Sequence, residues 1–398
     1  MTKQTSSKRL LSLDILRGIT IAGMILVNNP GSWSNAYAPL RHAEWNGLTP
    51  TDLVFPFFMF IMGISTYISL RKYSFKPSKD AIIKILRRFV VIFAIGLAMG
   101  WFSRLCYGTV SRVTGEEPMP FLAAVIDSAN NFESMRILGV LPRLAISYCV
   151  ASLIAIYVNH KHLLWIISCI LISYALMLLF GNGYEFSEEN IINIVDRAVL
   201  GVKHMYTDVV GGVRLTFDPE GFLSTLPSIA HVLLGVYAGE KIMNTTSNDK
   251  KIQFLFITGA ILTFSGFLLS YGFPINKKIW SPTFVLTTCG LASTLLALLI
   301  WIIDIKGYNK WCTFFQVFGV NPLYLFVQSG VLATLFGAIR WANSDGGYTT
   351  IHGFLYNDLM KSMVGDPYFA SLLYSILFIL INWIVGYYLF KKKIYIKI

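Results

Sequence analysis

His42, Glu44, Asn46 and Asp52 stand close together in RHAEWNGLTPTDLVFPFFMFIMG, residues 41–63, a stretch that opens polar and closes as an apolar run. Histidine titrates near neutrality and is the commonest general acid or base. A neighbouring carboxylate, Glu44 or Asp52, can orient its ring or an incoming amine. Several of these residues also have plainer readings. Thr49 or Thr51 can cap the helix that the apolar run must form, and Asp52 then falls in its first turn, where the helix dipole favours a carboxylate. Trp45 suits the aromatic belt at a membrane interface. Neither reading covers His42.

Other polar groups interrupt apolar segments, where charge is costly and points to function. In SLDILRG, Asp14 and Arg17 share a helix face and can pair. They lock one helix to another, or Arg17 meets a phosphate near the inner surface. In LVNNPG, Asn28 and Asn29 precede a proline, so the helix stops there. Asn28 is a cap, or an amide that holds a carbonyl. In RILGVLPRLAISY, Arg136 and Arg143 are two helical turns apart on one face, and Pro142 loosens the helix between them. Such a pair binds a carboxylate or sulfate, or snorkels to headgroups. His231, inside an apolar run, reads as a hydrogen-bonded packing residue; NKKIW (276–280) and Asn321 add weaker polar signals near membrane faces.

The elements that must position these groups follow from composition. The chain of 398 residues is 55% hydrophobic and 14% charged, with a mean hydropathy of +0.60. A soluble domain carries about 25% charged residues. The reading is an all-α polytopic membrane protein with ten spans, at 10–28, 52–70, 89–106, 137–158, 163–180, 222–239, 253–272, 282–303, 312–336 and 369–390. The runs are continuous rather than alternating, which argues against a β-barrel. Lys8 and Arg9 ahead of the first run look like a signal peptide, but Asp14 and Arg17 interrupt it too early, so it is taken as span one. Long outer segments, 107–136, 181–221 and 338–368, are expected to fold into small helices and turns over the outer face. Absence of an internal repeat counts against a secondary transporter. The five cysteines lack CxxC spacing and read as packing residues, with neither a disulfide framework nor a metal site.

Positive charge sets orientation. With both termini cytoplasmic, the inner side carries 20 Lys/Arg against 4 acids, and the outer side 12 against 16. Most of this is topogenic charge. An inner face of +16 also suits anionic lipid or a polyanionic cytosolic cosubstrate. No segment resembles a nucleic-acid-binding module.

Together, SLDILRGITIAGMILVNN, HAEWNGLTPTDLVFPFFMFIMG, RILGVLPRLAISY, FDPEGFLSTLPSIAHVLLGVYAGE and PINKKIWSPTFVL resemble the transmembrane acyltransferase family typified by heparan-α-glucosaminide N-acetyltransferase. The resemblance runs over most of the chain. It implies a single transmembrane acyltransferase domain over residues 1–398, in a compact bacterial member without the large luminal N-terminal domain. It implies transfer of acetyl from cytosolic acetyl-CoA to an amino sugar or other glycan on the far side of a bacterial inner membrane. It carries catalytic roles onto His42, as general base or acyl-accepting nucleophile, and onto Asn28; it also implies a homodimer.

From chemistry alone, Glu44, Trp45, Asn46, Asp52, Arg136 and Arg143 are the candidates for the acceptor side. Asp14, Arg17, Arg87 and Arg88 are those for acetyl-CoA, with no metal. Two other readings stay open: an O-acyltransferase for an envelope glycan or lipid-linked sugar, and a sugar or peptide transporter.

Overall fold

The computed structural model describes residues 10–343 and 347–396. Lys8 and Arg9, part of the topogenic argument, lie outside the described residues. Helix α1 (Leu11–Asn28) ends two residues before Pro30, as its sequence requires. A 3₁₀ turn, Pro50–Leu53, leads into α2 (Val54–Leu70). That turn starts on a proline and carries a reciprocal Thr49–Asp52 capping box, so the helix entry is determined locally. Helix α3 (Lys79–Val113) is 35 residues long and is capped by Ser78, whose hydroxyl accepts from the Ala81 N–H. Next come α4 (Phe121–Asn130), α5 (Val140–Tyr157) and α6 (Leu163–Phe180).

The segment after α6 folds into α7 (Ile191–Leu200) and an antiparallel hairpin, β1 (Thr207–Val210) with β2 (Val213–Thr216). Its two-residue turn is Gly211-Gly212, with φ of 56° and 80°, the left-handed backbone a tight hairpin turn demands. The bundle continues with α8 (Thr225–Asn244), α9 (Asn248–Leu269) and α10 (Pro282–Leu299), which runs on as a π-helical turn, Ile300–Ile305. Helices α11 (Cys312–Val320) and α12 (Pro322–Ala338) form a pair bent by 87°. The segment after α12 carries β3 (Arg340–Ala342) paired with β4 (Tyr348–Thr350), then α13 (Ile351–Gly353), a π-helical stretch Phe354–Met360, and α14 (Lys361–Val364). Helix α15 (Pro367–Lys391) closes the chain.

Among the described residues, seven helices are long and apolar enough to cross a membrane, eight if the bent α11–α12 pair is one span. The expected spans 89–106 and 222–239 fall largely on α3 and α8, outside that set. Helix α8 carries His231, Glu240 and Lys241, which lower its hydropathy, and most of its residues are buried within the bundle. It packs along α2 through two glycines. A Cβ on Gly63 would lie 2.2 Å from the Val232 carbonyl oxygen, and one on Gly235 would lie 2.2 Å from that of Phe60. Small residues permit this close approach of two backbones.

The span expected at 137–158 becomes helical only at Val140. Arg136 therefore precedes the helix and does not share a helix face with Arg143. Pro142 sits in the first turn, where its missing N–H costs no hydrogen bond, so it starts a helix rather than loosening one.

Candidate active site

Two loops far apart in sequence are knitted together at the head of α2. The Asn276 side chain, fully buried, donates to Asn46 Oδ1 at 3.1 Å, and the Gly47 N–H donates to the Ile275 carbonyl at 2.8 Å. Asn276 Oδ1 also accepts from the Ile279 N–H at 3.1 Å, and its backbone N–H donates to Ser281 Oγ at 3.0 Å. Trp45 anchors the first loop from behind. Its indole N–H donates to the Tyr184 carbonyl at 2.8 Å, and its ring packs edge-on against Phe186 and Phe217. Trp45 thus serves as a core anchor. Glu44 accepts from the Gly211 N–H at 2.6 Å, which ties the β1–β2 turn to the same loop.

The paired loops bring His42, Asp52 and Lys277 into contact. Asp52 is almost wholly buried and its hydrogen bonds are satisfied. Oδ2 accepts from the Ala43 N–H at 3.0 Å, the Thr49 N–H at 3.1 Å and Thr49 Oγ1 at 2.9 Å. Oδ1 faces His42 Nδ1 at 2.6 Å. A carboxylate only accepts, so Nδ1 carries the proton; in the neutral ring Nε2 is then the nitrogen with the lone pair. The His42 side chain is 37% exposed, so it is reachable from outside. Lys277 Nζ lies 2.9 Å from Nδ1, 3.4 Å from Nε2 and 3.5 Å from Asp52 Oδ1. Burial pushes the Lys277 ammonium below the usual lysine range, with Asp52 and Glu220 only partly offsetting it.

Behind this site the expected acceptor-binding arginines are engaged within the protein. Arg136 pairs with Asp218, Nε to Oδ2 at 2.9 Å, and with Glu220. Burial would raise the Glu220 carboxyl, but Arg136, Arg143 and Lys277 outweigh that and hold it below the ordinary range. Arg143 is fully buried, donates to Ser224 Oγ, and sets its guanidinium 5.1 Å from the Trp280 ring centroid. A sealed guanidinium cannot meet an acceptor from outside. Both arginines hold the segment that leads into α8 beneath the site loops. His231 packs there too, its ring centroid 5.8 Å from that of Trp280.

Asn28 ends α1 with its side chain exposed, while Asn29 caps that helix by donating to the Ile25 carbonyl at 2.8 Å. Among the described residues no hydrogen bond joins Asn28 to His42, Asp52 or Lys277.

A cavity of about 400 Å³ lies between α1, α2, α3, α5 and α12. It follows α2 from Phe55, one turn past Asp52, to Ser69 near the far end. At 1.5 Å per residue that is about 21 Å. Its far end is cationic: Arg17, Lys84 and Arg88 line it together with Ser65 and Ser69. Arg17 pairs with Asp14 at 3.1 Å and donates to Ser65 Oγ at 2.7 Å. Lys84 donates to Ser69 Oγ at 2.9 Å, and Arg88 lies 4.7 Å from the Tyr148 ring centroid. Arg87 is exposed and does not line the cavity; Lys84, one turn before Arg88 on the same face, does. The C-terminal segment after α15 also reaches this end. Asn321, at the α11–α12 bend, donates to the Ile394 carbonyl and accepts from the Ile396 N–H, and Ile396 joins the lining.

Sequence reasoning missed Lys277 and Lys84. Two adjacent lysines in the short segment before α10, which holds no acidic residue, were the trace of the first; the helical spacing of Lys84 and Arg88 was the trace of the second.

Residues 9–271 match the family model for the catalytic region of heparan-alpha-glucosaminide N-acetyltransferase. The mouse protein of that name is 27% identical over 449 aligned residues, which cover 100% of this chain and 62% of the mouse protein. The human one is 27% identical over 442 residues, covering 98% of this chain and 60% of its own length. The chain spans about three fifths of the length of these curated relatives.

Proposed function

The chain belongs to the family of heparan-alpha-glucosaminide N-acetyltransferase catalytic regions, and on that premise we propose that it moves acetyl from acetyl-CoA to the amine of an amino sugar or other glycan across a bilayer. The observation that carries this reading is the relation between the two ends of α2. The 400 Å³ cavity is cationic at one end and apolar up to Phe55, one turn from the buried Asp52 that holds His42. A polyanionic head suits Arg17, Lys84 and Arg88. A slender acyl-bearing arm suits the apolar length.

The chemistry then belongs to His42. The acceptor amine attacks the thioester carbonyl, the C–S bond breaks, and the amine proton passes to Nε2 and on to the CoA sulfur. Alternatively Nε2 attacks first, the C–S bond breaks and CoA leaves as thiolate; the amine then attacks the resulting acetyl-imidazolium, the C–N bond to Nε2 breaks, and the amine proton passes by way of Nε2 to the thiolate. In both routes Asp52 stabilises the imidazolium that forms. Asn28, exposed at the end of α1, supplies a donor to the developing oxyanion. Glu44 and Asn46 shape the acceptor mouth through the bonds that fix their loop.

The topology that goes with this has ten spans, with both termini and the +16 face on the CoA side. The long segments and His42 then lie on the other, taken as the periplasm of a bacterial inner membrane. The test is release of free CoA by purified protein in detergent, with glucosamine and glucosamine-ended oligosaccharides, wild type against His42→Ala. Acceptor-dependent release that the variant loses is the expected result. Folded protein that neither binds nor turns over acetyl-CoA would overturn it.

A further inference from the structure

We propose that Lys277 is the residue that keeps His42 uncharged before each turnover, opposing Asp52 across the imidazole ring. This rests on the reading of His42 as the reacting base.

Asp52 and Lys277 reach the same imidazole from different directions. Nδ1 points at Asp52 Oδ1, 2.6 Å away. A donor on the lone pair of one ring nitrogen stands far from the other nitrogen. Lys277 Nζ instead lies at similar distances from both, 2.9 and 3.4 Å, so it sits alongside the ring rather than on either lone pair. A lysine present only to neutralise Asp52 would sit closest to the carboxylate. This one is nearer to Nδ1 than to Asp52 Oδ1, which is 3.5 Å away.

The placement is held from several sides. The Lys277 carbonyl accepts from the Trp280 N–H at 3.0 Å, and the preceding residue is the buried Asn276 that joins the two loops. The charged groups that face Lys277 are Asp52 from the turn leading into α2, Glu220 from the segment leading into α8, and Lys278 beside it. Lys278 is itself paired with Asp208 of β1 at 2.6 Å.

The consequence is electrostatic. An aspartate beside a histidine favours the imidazolium. A base that already holds a proton cannot take one from an amine. The ammonium of Lys277 penalises the imidazolium, so the ring stays neutral and Nε2 stays free. Once Nε2 takes the amine proton, the same repulsion favours its passage to the leaving sulfur. Removing the Lys277 charge should raise the pH at which the ring protonates; removing the Asp52 charge should lower it.

Diethyl pyrocarbonate acylates only the neutral imidazole, and His42 is exposed enough to be reached. The rate of His42 modification, read by mass spectrometry of the full-length protein in detergent between pH 5 and 9, gives its protonation midpoint without acetyl-CoA. Lys277→Met is expected to move the midpoint up by about one pH unit. Lys277→Arg keeps it near wild type, and Asp52→Asn moves it down. Lys277→Gln, which retains a hydrogen-bonding group, replaces Lys277→Met if that variant fails to fold. The acid limb of kcat/KM should move with the modification midpoint. A midpoint equal in wild type and the uncharged variants would overturn the proposal, as would an arginine variant that shifts as far as the uncharged ones. A shift in protein that transfers no acetyl group would keep the role of Lys277 and reject the acyltransferase reading. Turnover without a shift would do the reverse.

Discussion

The two polar regions at opposite ends of α2 are built on different principles. At its N-terminal end, His42 and Lys277 surround the buried Asp52, so cationic and anionic groups are close to balance. Their positions come from loops, and the loops are fixed by hydrogen bonds to one another. At the other end, Arg17 pairs with Asp14, but Lys84 rests on Ser69 and Arg88 on the face of Tyr148. These groups come from helix faces and are held by hydroxyls and an aromatic ring as much as by carboxylates. A balanced cluster around a titratable ring suits proton movement. A cationic cluster at the end of an apolar cavity suits an anion. On the proposed function, the contrast separates a reacting end from a binding end.

The sharpest way to break that contrast is at His42. Replacing it by alanine should lower kcat by at least about 100-fold, the range for loss of a general base. Acetyl-CoA binding, followed by calorimetry, should persist. Activity within a few-fold of wild type would move the reacting group elsewhere.

The opposite signature is expected at the other end. Lys84→Ala combined with Arg88→Ala should raise the KM for acetyl-CoA by roughly ten-fold or more, the loss expected from charge-assisted hydrogen bonds. An unchanged KM would take the cosubstrate out of this cavity.

Asn276→Ala sharpens the comparison from the scaffold side. It removes the link to Asn46 and should cost about 1–3 kcal/mol of stability in chemical denaturation. It should lower kcat while leaving the KM for acetyl-CoA alone, because the cationic end does not depend on that loop.

The smallest effect is a pH dependence at Asp196, below the His42 site. Burial raises its carboxyl from 3.8 to about 6. Oδ1 accepts from the Leu223 N–H, while Oδ2 is buried with no hydrogen bond among the described residues. With the folded value above the unfolded one, stability is fully present below pH ~4 and falls as pH rises through about 6. Asp196→Asn avoids that loss. Its Tm relative to wild type should therefore rise by a few degrees between pH 4 and pH 7. A relative fall would mean that Arg143 stabilises the ionised carboxylate.

How much of this was legible from the residues depends on the range of the interaction that decides each feature. The end of α1 at Asn28, the Thr49–Asp52 cap and the Gly211-Gly212 turn all rest on contacts within a few residues. The first two are readable by inspection. Apolar length likewise marks the membrane helices, though α8 shows its limit. A helix sheltered by others can carry His231, Glu240 and Lys241, and its burial is a property of its neighbours. The arginines of RILGVLPR show the same limit at the site. Spacing placed them on one helix face, whereas Gly139 starts the helix between them, and the carboxylates of Asp218 and Glu220 hold the first.

The sequence by itself determined the helical membrane class and the polar cluster around His42 and Asp52, because patterning, capping and propensity act locally. Tertiary structure alone decided that Lys277 joins that cluster, that Lys84 rather than Arg87 faces the cavity, and that Arg143 is sealed. The physical reason is that a side chain's partners at a sequence separation of 235 depend on how the helices pack, and no local rule encodes that packing.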